Sequence, residues 1–151
     1  MRLFGTVIAW ALSSLVAYAL GSIASTQVML AGVERVGREV AFADNWRTTL
    51  ADLMGFWQYG VVIALGFLVA FFVANLVKAV LPSLSRVAYP VAGAAAVAAA
   101  LALMEANYGI IPVLGAQESL GYWLQLGAGA VGGFVFEVIR PKARDEVAAR
   151  R

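Results

Sequence analysis

The amino-acid sequence predicts an all-α integral membrane protein, a four transmembrane helix bundle with an amphipathic outer segment. Only 13% of the 151 residues are charged and 62% are hydrophobic, whereas a soluble domain carries about 25% charged residues. The charges are missing from long stretches, and about 20 apolar residues suffice to cross a hydrocarbon core of ~30 Å. No segment repeats the apolar and polar alternation of a membrane β-strand. We therefore expect the spans to be helices.

Four segments are long and apolar enough to be these spans, at 3–31, 56–81, 89–108 and 122–139. The first segment imitates a secretory signal, but its apolar run exceeds the ~7 to 15 residues of a signal core. We expect it to be retained as a helix. The sequence thus predicts one transmembrane domain over 1–139, followed by a basic cytoplasmic tail over 140–151.

The third span differs from the others in having almost no large side chains. Between positions 91 and 102 the largest residues are Val91, Val97 and Leu101. Small residues let helix backbones approach closely, so we expect this helix at the centre of the bundle. The second span is rich in Leu and Phe, which predicts that it faces lipid or packs against the third.

The connection over 32–52 is charged, and it also has helical periodicity. Val33, Val36 and Val40 recur at three- and four-residue steps, which is typical of an amphipathic helix. Asp44 or Asn45 could cap a second helix that carries Trp46, Leu50 and Leu53 on one side. We expect a broken amphipathic segment lying at the membrane surface.

The basic residues predict the orientation. Eight of the 11 fall on one side of the four-span arrangement: Arg2, Lys78, Arg86, Arg140, Lys142, Arg144, Arg150 and Arg151. Cytoplasmic loops carry an excess of Lys and Arg, so both termini are predicted to be cytoplasmic, and we expect a bacterial inner membrane. The basic tail fits the anionic cytoplasmic leaflet better than nucleic acid.

Glycines line the middle of the fourth span. Gly127, Gly129 and Gly132 match the letters of a dinucleotide-binding motif, but that motif requires a preceding strand. Gly129 and Gly133 also form GxxxG, which brings helix backbones together. We expect Gly93, Gly129, Gly132 and Gly133 to be helix contacts, either within the bundle or between subunits.

The polar side chains of the spans sort into two layers by estimated depth. An outer layer, which we consider possibly ligand-facing, contains Gln27, Gln58, Glu105, Asn107 and Gln125; an inner layer contains Asn75, Lys78, Glu137 and Arg140. Glu105 could instead be an interfacial carboxylate bonded to Asn107 or to a neighbouring helix. Only Gly, Ala, Ser, Thr, Tyr and bulky apolar residues are predicted between the layers, which argues against a pump or a proton-coupled transporter.

The inventory of reactive side chains is poor. The chain has no Cys and no His, and no pair is spaced as a nucleophile with its base. We expect no catalytic site, metal or cofactor. The leading hypothesis is a non-enzymatic, homo-oligomeric protein that binds lipid or a small apolar molecule or forms an oligomeric pore. The alternative is an accessory or scaffold subunit of a larger membrane complex, and the third is a lipid-acting membrane enzyme. Membrane lipids and further copies of the chain are the expected partners, and nucleic acid is not.

Overall fold

The computed structural model describes residues 2–37, 39, 41–84 and 87–141. These residues form five α-helices and no strand: α1 (Arg2–Arg35), α2 (Phe42–Gly55), α3 (Trp57–Val80), α4 (Ala88–Tyr108) and α5 (Ser119–Ile139). Short 3-10 turns at Pro82–Leu84 and Leu114–Gln117 lie in two of the connections. The predicted all-α class is confirmed. The predicted tail beyond Pro141, and the predictions for Arg38, Val40 and Arg86, lie outside the described residues.

Four of these helices, α1, α3, α4 and α5, are long and apolar enough to cross a membrane, as the sequence predicted. At ~1.5 Å per residue, the 21 residues of α4 and of α5 match the thickness of a bilayer core. Helix α1 has 34 residues and continues past the predicted boundary at position 31. The start of α1 lies beside the end of α5. A Cβ added to Gly5 would lie 2.7 Å from Cγ of Pro141, which follows α5. We call this end of the bundle the inner end and the opposite end the outer end.

Helices α2 and α3 run one after the other along α1 in the opposite direction. The hydrogen bonds that join them to α1 include Trp10 Nε1 to the Ala64 carbonyl at 3.0 Å, Tyr18 Oη to the Leu53 carbonyl at 2.6 Å, and Thr26 Oγ1 to Asp52 Oδ2 at 2.7 Å. The partner number falls as the α1 number rises, which is the signature of antiparallel packing. A single residue, Phe56, separates α2 from α3. The amphipathic outer segment is therefore packed on the outer half of α1.

The predicted N-cap of α2 at Asp44 or Asn45 is wrong. The helix begins at Phe42, with Ala41 as its N-cap and no side-chain cap. Asp44 lies in the first turn, where a carboxylate interacts favourably with the helix dipole. The Asn45 side chain is engaged elsewhere, because its Oδ1 accepts a hydrogen bond from Gln27 Nε2 at 3.0 Å. The Asn45 side chain therefore forms a tertiary contact with α1 instead of the helix cap that the sequence predicted.

The inside of the bundle is formed mainly by α4 and α5. In α4, 39% of the apolar span is buried, against 22% in α3, in keeping with the small residues of α4. Helix α5 packs along both α1 and α4, so it shares the central position that composition predicted for α4 alone. Phe67, Tyr89, Val97 and Leu101 are among the most buried side chains.

Candidate functional site

Gln125, a member of the outer layer, is a buried crosslink between helices. Its side chain is 1% exposed. Nε2 donates to the Gly21 carbonyl on α1 at 2.8 Å, and Oε1 accepts from the Tyr59 hydroxyl on α3 at 3.0 Å. Since the amide bonds to α1 and α3 at its two ends, its main role in this structure is to hold α5 to its neighbours.

The other four residues of the outer layer lie on the surface, in different surroundings. Gln27 bonds to Asn45 on α2. Asn107 donates to the Leu103 carbonyl of its own helix at 2.7 Å, while Gln58 and Glu105 are exposed and form no side-chain hydrogen bond with the described part of the chain. No hydrogen bond connects any two of the five predicted residues within the described ranges. A ligand-facing role for them stays a prediction.

The four predicted contact glycines all pack against other helices of the same chain. A Cβ on Gly129 would lie 2.5 Å from the Gly93 carbonyl oxygen, and one on Gly133 would meet the Tyr89 carbonyl. A Cβ on Gly132 would lie 2.7 Å from the Phe67 ring. These surfaces are occupied within the bundle, so an interface between subunits would have to use others.

One face of α1 carries a series of buried hydroxyl groups. Thr26 bonds to the Ser22 carbonyl of its own helix, and Ser25 Oγ accepts from the Gly115 backbone amide at 3.0 Å. The hydroxyls of Ser14 and Ser22 are buried without a partner in the described part of the chain. Because these side chains are small and buried, they allow close packing of α1 against its neighbours.

Three helix ends meet at the inner end and bring together what we call the inner polar cluster, which consists of Asn75, Lys78, Tyr89, Glu137 and Arg140. Lys78 lies in the last turn of α3 and Arg140 directly follows α5. Both cations are thus placed at helix carboxyl ends, where the helix dipole favours positive charge. Tyr89 lies in the first turn of α4. Because the end of α3, the start of α4 and the end of α5 lie at the same depth, they bring these side chains together.

The charges of the inner polar cluster meet at one carboxylate oxygen. Glu137 Oε2 accepts from Lys78 Nζ at 2.8 Å and from Arg140 Nε at 3.2 Å. The three side chains are only 12, 20 and 23% exposed for Lys78, Glu137 and Arg140, so these ion pairs are less screened than surface pairs. Both cations also lie over the Tyr89 ring, at 4.5 Å for Lys78 and 4.7 Å for Arg140. The tyrosine hydroxyl is 3.5 Å from Asn75 Oδ1.

An open cleft of about 440 Å³ adjoins this cluster between the start of α1 and α3, and we call it the inner cleft. It is lined by Thr6, Val7, Trp10, Leu68, Phe71, Phe72, Asn75, Tyr89, Phe136, Arg140 and Pro141. Its floor is aromatic, because Phe71 stacks on Phe136 with ring centroids 4.4 Å apart and Tyr89 packs edge-on against both. Arg140, Asn75, Thr6 and the Tyr89 hydroxyl provide the polar groups. The cleft therefore combines a long apolar wall with a cationic end.

A larger groove of about 760 Å³ runs between α3 and α4. Its lining consists of Ala, Val, Leu and Gly, including Gly66, Val69, Ala92, Ala96 and Leu103. Specific ligand sites place a few polar groups among apolar ones, and the lining of this groove contains none. The inner cleft is therefore the stronger candidate site.

Sequence reasoning found four members of the inner polar cluster and missed the fifth. Asn75, Lys78, Glu137 and Arg140 were grouped by depth, and the structure brings them together. Tyr89 was overlooked, although an aromatic ring in the first turn of α4, at the same end of the bundle as the charged ends of α3 and α5, is a natural cation partner. No group of His, Cys, Asp and Glu that could hold a metal occurs among the described residues. A search with family models, curated proteins and solved structures finds no match to this chain.

Proposed function

We propose that this protein is a non-enzymatic membrane protein that binds a phospholipid from the side, in the inner cleft. The observation that carries this proposal is the pairing, in one cleft, of an apolar wall with a guanidinium whose terminal nitrogens donate to no residue in the described part of the chain. Val7, Trp10, Leu68 and Phe72 form the wall, which suits an acyl chain. Arg140 lies at the end of the wall, which suits a lipid headgroup.

The hydrogen bonds of Arg140 support this assignment. Within the described ranges its side chain donates only through Nε, to Glu137, so both terminal nitrogens keep their donors. A guanidinium has five N–H donors and no acceptor. Donors left in a partly buried cleft are costly unless a ligand or water accepts from them, and a headgroup phosphate is a strong acceptor.

Mass spectrometry of the native protein tests lipid binding. Protein extracted in mild detergent should retain phospholipid, and Leu68→Trp, which fills the cleft, should reduce the retained amount. Leu76→Trp is the matched control, because Leu76 lies on the same helix and is 53% exposed against 55% for Leu68, but lines neither the inner cleft nor the groove. Equal retention in both variants would refute binding in the cleft.

Self-association, as a homo-oligomer or as a pore between copies, is part of the same proposal. Its interface would lie away from Gly129 and Gly133, which pack within the chain. We place the protein in a bacterial inner membrane with both termini in the cytoplasm, which would put the inner cleft in the cytoplasmic leaflet. The support for this orientation is the excess of Lys and Arg on that side.

A second candidate function is that of an accessory or scaffold subunit, and one surface favours it. Helix α2 exposes an apolar stripe, with Phe42, Trp46 and Met54 exposed at 88, 59 and 77%. These residues follow each other at four-residue multiples and therefore share one face. Copurification of one different protein in stoichiometric amount, lost on Trp46→Ser, would favour this function.

A further inference from the structure

The inner polar cluster carries an excess of one positive charge. Lys78 and Arg140 are two cations, and Glu137 is the one carboxylate that pairs with both. Because both cations bond to the same oxygen, Glu137 Oε2, a single negative charge is shared between them. No second carboxylate among the described residues pairs with these cations, so one positive charge remains beside an apolar wall, where an uncompensated charge is unfavourable. A bound anion of charge −1 would balance it.

The three charged residues have different positions relative to the inner cleft. Arg140 lines the cleft, whereas Lys78 and Glu137 do not. Glu137 accepts from Nε of Arg140, and the Tyr89 ring lies 4.7 Å from the guanidinium carbon. Together they fix the orientation of a planar group whose two terminal nitrogens match two oxygens of a phosphate.

Asn75 adds a second donor at the same end of the cleft. Its Oδ1 is the acceptor for the Tyr89 hydroxyl, and its amide nitrogen donates to no described residue. Asn75 and Arg140 both line the cleft. A phosphate bound by the guanidinium would therefore have a neutral amide donor close by.

We propose that the inner cleft selects an anionic phospholipid over a zwitterionic one, with Arg140 binding the phosphodiester and Glu137 acting as a positioning residue. This selectivity rests on the lipid binding proposed above. A zwitterionic headgroup carries an ammonium as well as a phosphate, and the ammonium would add a third cation beside Lys78 and Arg140. Repulsion of that group supplies the discrimination, since specificity is a difference of two affinities.

Competitive lipid binding tests the selectivity. The protein is exposed to equal amounts of one anionic and one zwitterionic phospholipid with identical acyl chains, and the retained lipids are counted by native mass spectrometry. The wild-type protein should retain the anionic lipid preferentially. Arg140→Gln should reduce that preference about 10-fold, a change of ~1.4 kcal/mol, because it lowers the charge of the cluster from +1 to 0 and removes a cation that repels the ammonium. Arg47→Gln, at an exposed arginine of α2 on the other half of the chain, should leave it unchanged.

Two further variants separate charge from geometry. Glu137→Gln keeps an acceptor for Arg140 but raises the cluster charge from +1 to +2, so the anionic preference should rise. Arg140→Lys keeps the charge but loses the planar fork, so the preference should fall between those of wild type and Arg140→Gln. These conservative changes keep the test decisive if Arg140→Gln does not fold. A merely structural role of Glu137 predicts a loss of preference in Glu137→Gln instead.

Competition with inorganic phosphate distinguishes a lipid headgroup from free phosphate as the ligand of Arg140. Excess phosphate should not displace the retained lipid, because it makes no contact with the apolar wall; displacement would overturn lipid selection. Equal retention of both lipids by the wild-type protein, or an unchanged preference in Arg140→Gln, would also overturn it. These results would leave the proposed lipid binding itself intact. Lipid binding in the cleft is refuted only if no lipid is retained or if Leu68→Trp retains as much lipid as Leu76→Trp.

Discussion

Adding one methyl group at Gly129 should separate α4 from α5. In Gly129→Ala the new Cβ would lie 2.5 Å from the Gly93 carbonyl oxygen and 2.7 Å from Val97 Cγ2, whereas ordinary contact begins at 3.4 Å. The nearer obstacle is backbone, which cannot rotate away as a side chain can. The two helices would have to shift by up to 0.9 Å, the difference between 3.4 and 2.5 Å. Overpacking of this kind typically costs about 1 to 3 kcal/mol.

Gly127 provides a matched control two residues earlier on the same helix. A Cβ on Gly127 meets nothing within 4 Å, so Gly127→Ala has the same gain in helix propensity, about 1 kcal/mol at most, without the clash. We expect Gly129→Ala to unfold at a lower temperature, or at a lower denaturant fraction in mixed micelles, than Gly127→Ala. The difference between the two variants should be about 1 to 3 kcal/mol in the free energy of unfolding.

The outcome also decides where the glycines act. If the two alanine variants unfold together, the close contact between α4 and α5 does not exist as described. If Gly129→Ala keeps its stability but loses crosslinked oligomers in native membranes, the glycine face lies between subunits. That result would refute the packing within the chain that the structure places there.

Three other predictions address the remaining contacts and the topology. Gln125→Leu should lower the free energy of unfolding by about 1 to 3 kcal/mol. Adding Tyr59→Phe to Gln125→Leu should lower it little further, because the hydrogen bond between the two side chains is already lost; additive losses in a double-mutant cycle would contradict that bond. Thr26→Val removes the bond to Asp52 and should speed amide hydrogen exchange in α2, whereas unchanged exchange would show that α2 is held by other contacts. A cytoplasm-dependent reporter should be active after Arg151 and silent near Glu118; the reverse pattern would overturn the orientation.

The number of spans could be predicted because it depends on a local requirement. A helix that crosses a bilayer needs enough consecutive apolar residues whatever it packs against, so the four segments could be read directly. The position of α2 could not, because its amphipathic pattern says that one face is covered but not by what. Its partners, Thr26 and Gln27, lie within the predicted first span, and the length of that span does not say which of its faces α2 covers.

The predicted layers also show where depth alone is insufficient. Gln125 and Glu105 were assigned the same depth, yet Gln125 is buried and Glu105 is exposed. The difference is the face of the helix. Gln125 lies four residues from Gly121 and from Gly129, both of which are buried, so helical spacing could have placed it on the packed face. The depth of a residue in the membrane must be combined with the helix face on which it lies to distinguish a buried crosslink between helices from a surface group.

The two ends of the bundle therefore use their polar groups in opposite ways. At the outer end, Gln125 and Thr26 are engaged with neighbouring helices, and a ligand would have to displace those partners. At the inner end, Glu137 is shared by two cations, and the terminal nitrogens of Arg140 have no acceptor in the described part of the chain. A buried polar group whose donor and acceptor both have partners within the protein stabilises the fold. A cation at an apolar cleft that keeps unused donors is stabilised further only by a ligand that accepts from those donors. For this reason the inner layer, which the sequence grouped but did not single out, is where ligand chemistry should be sought.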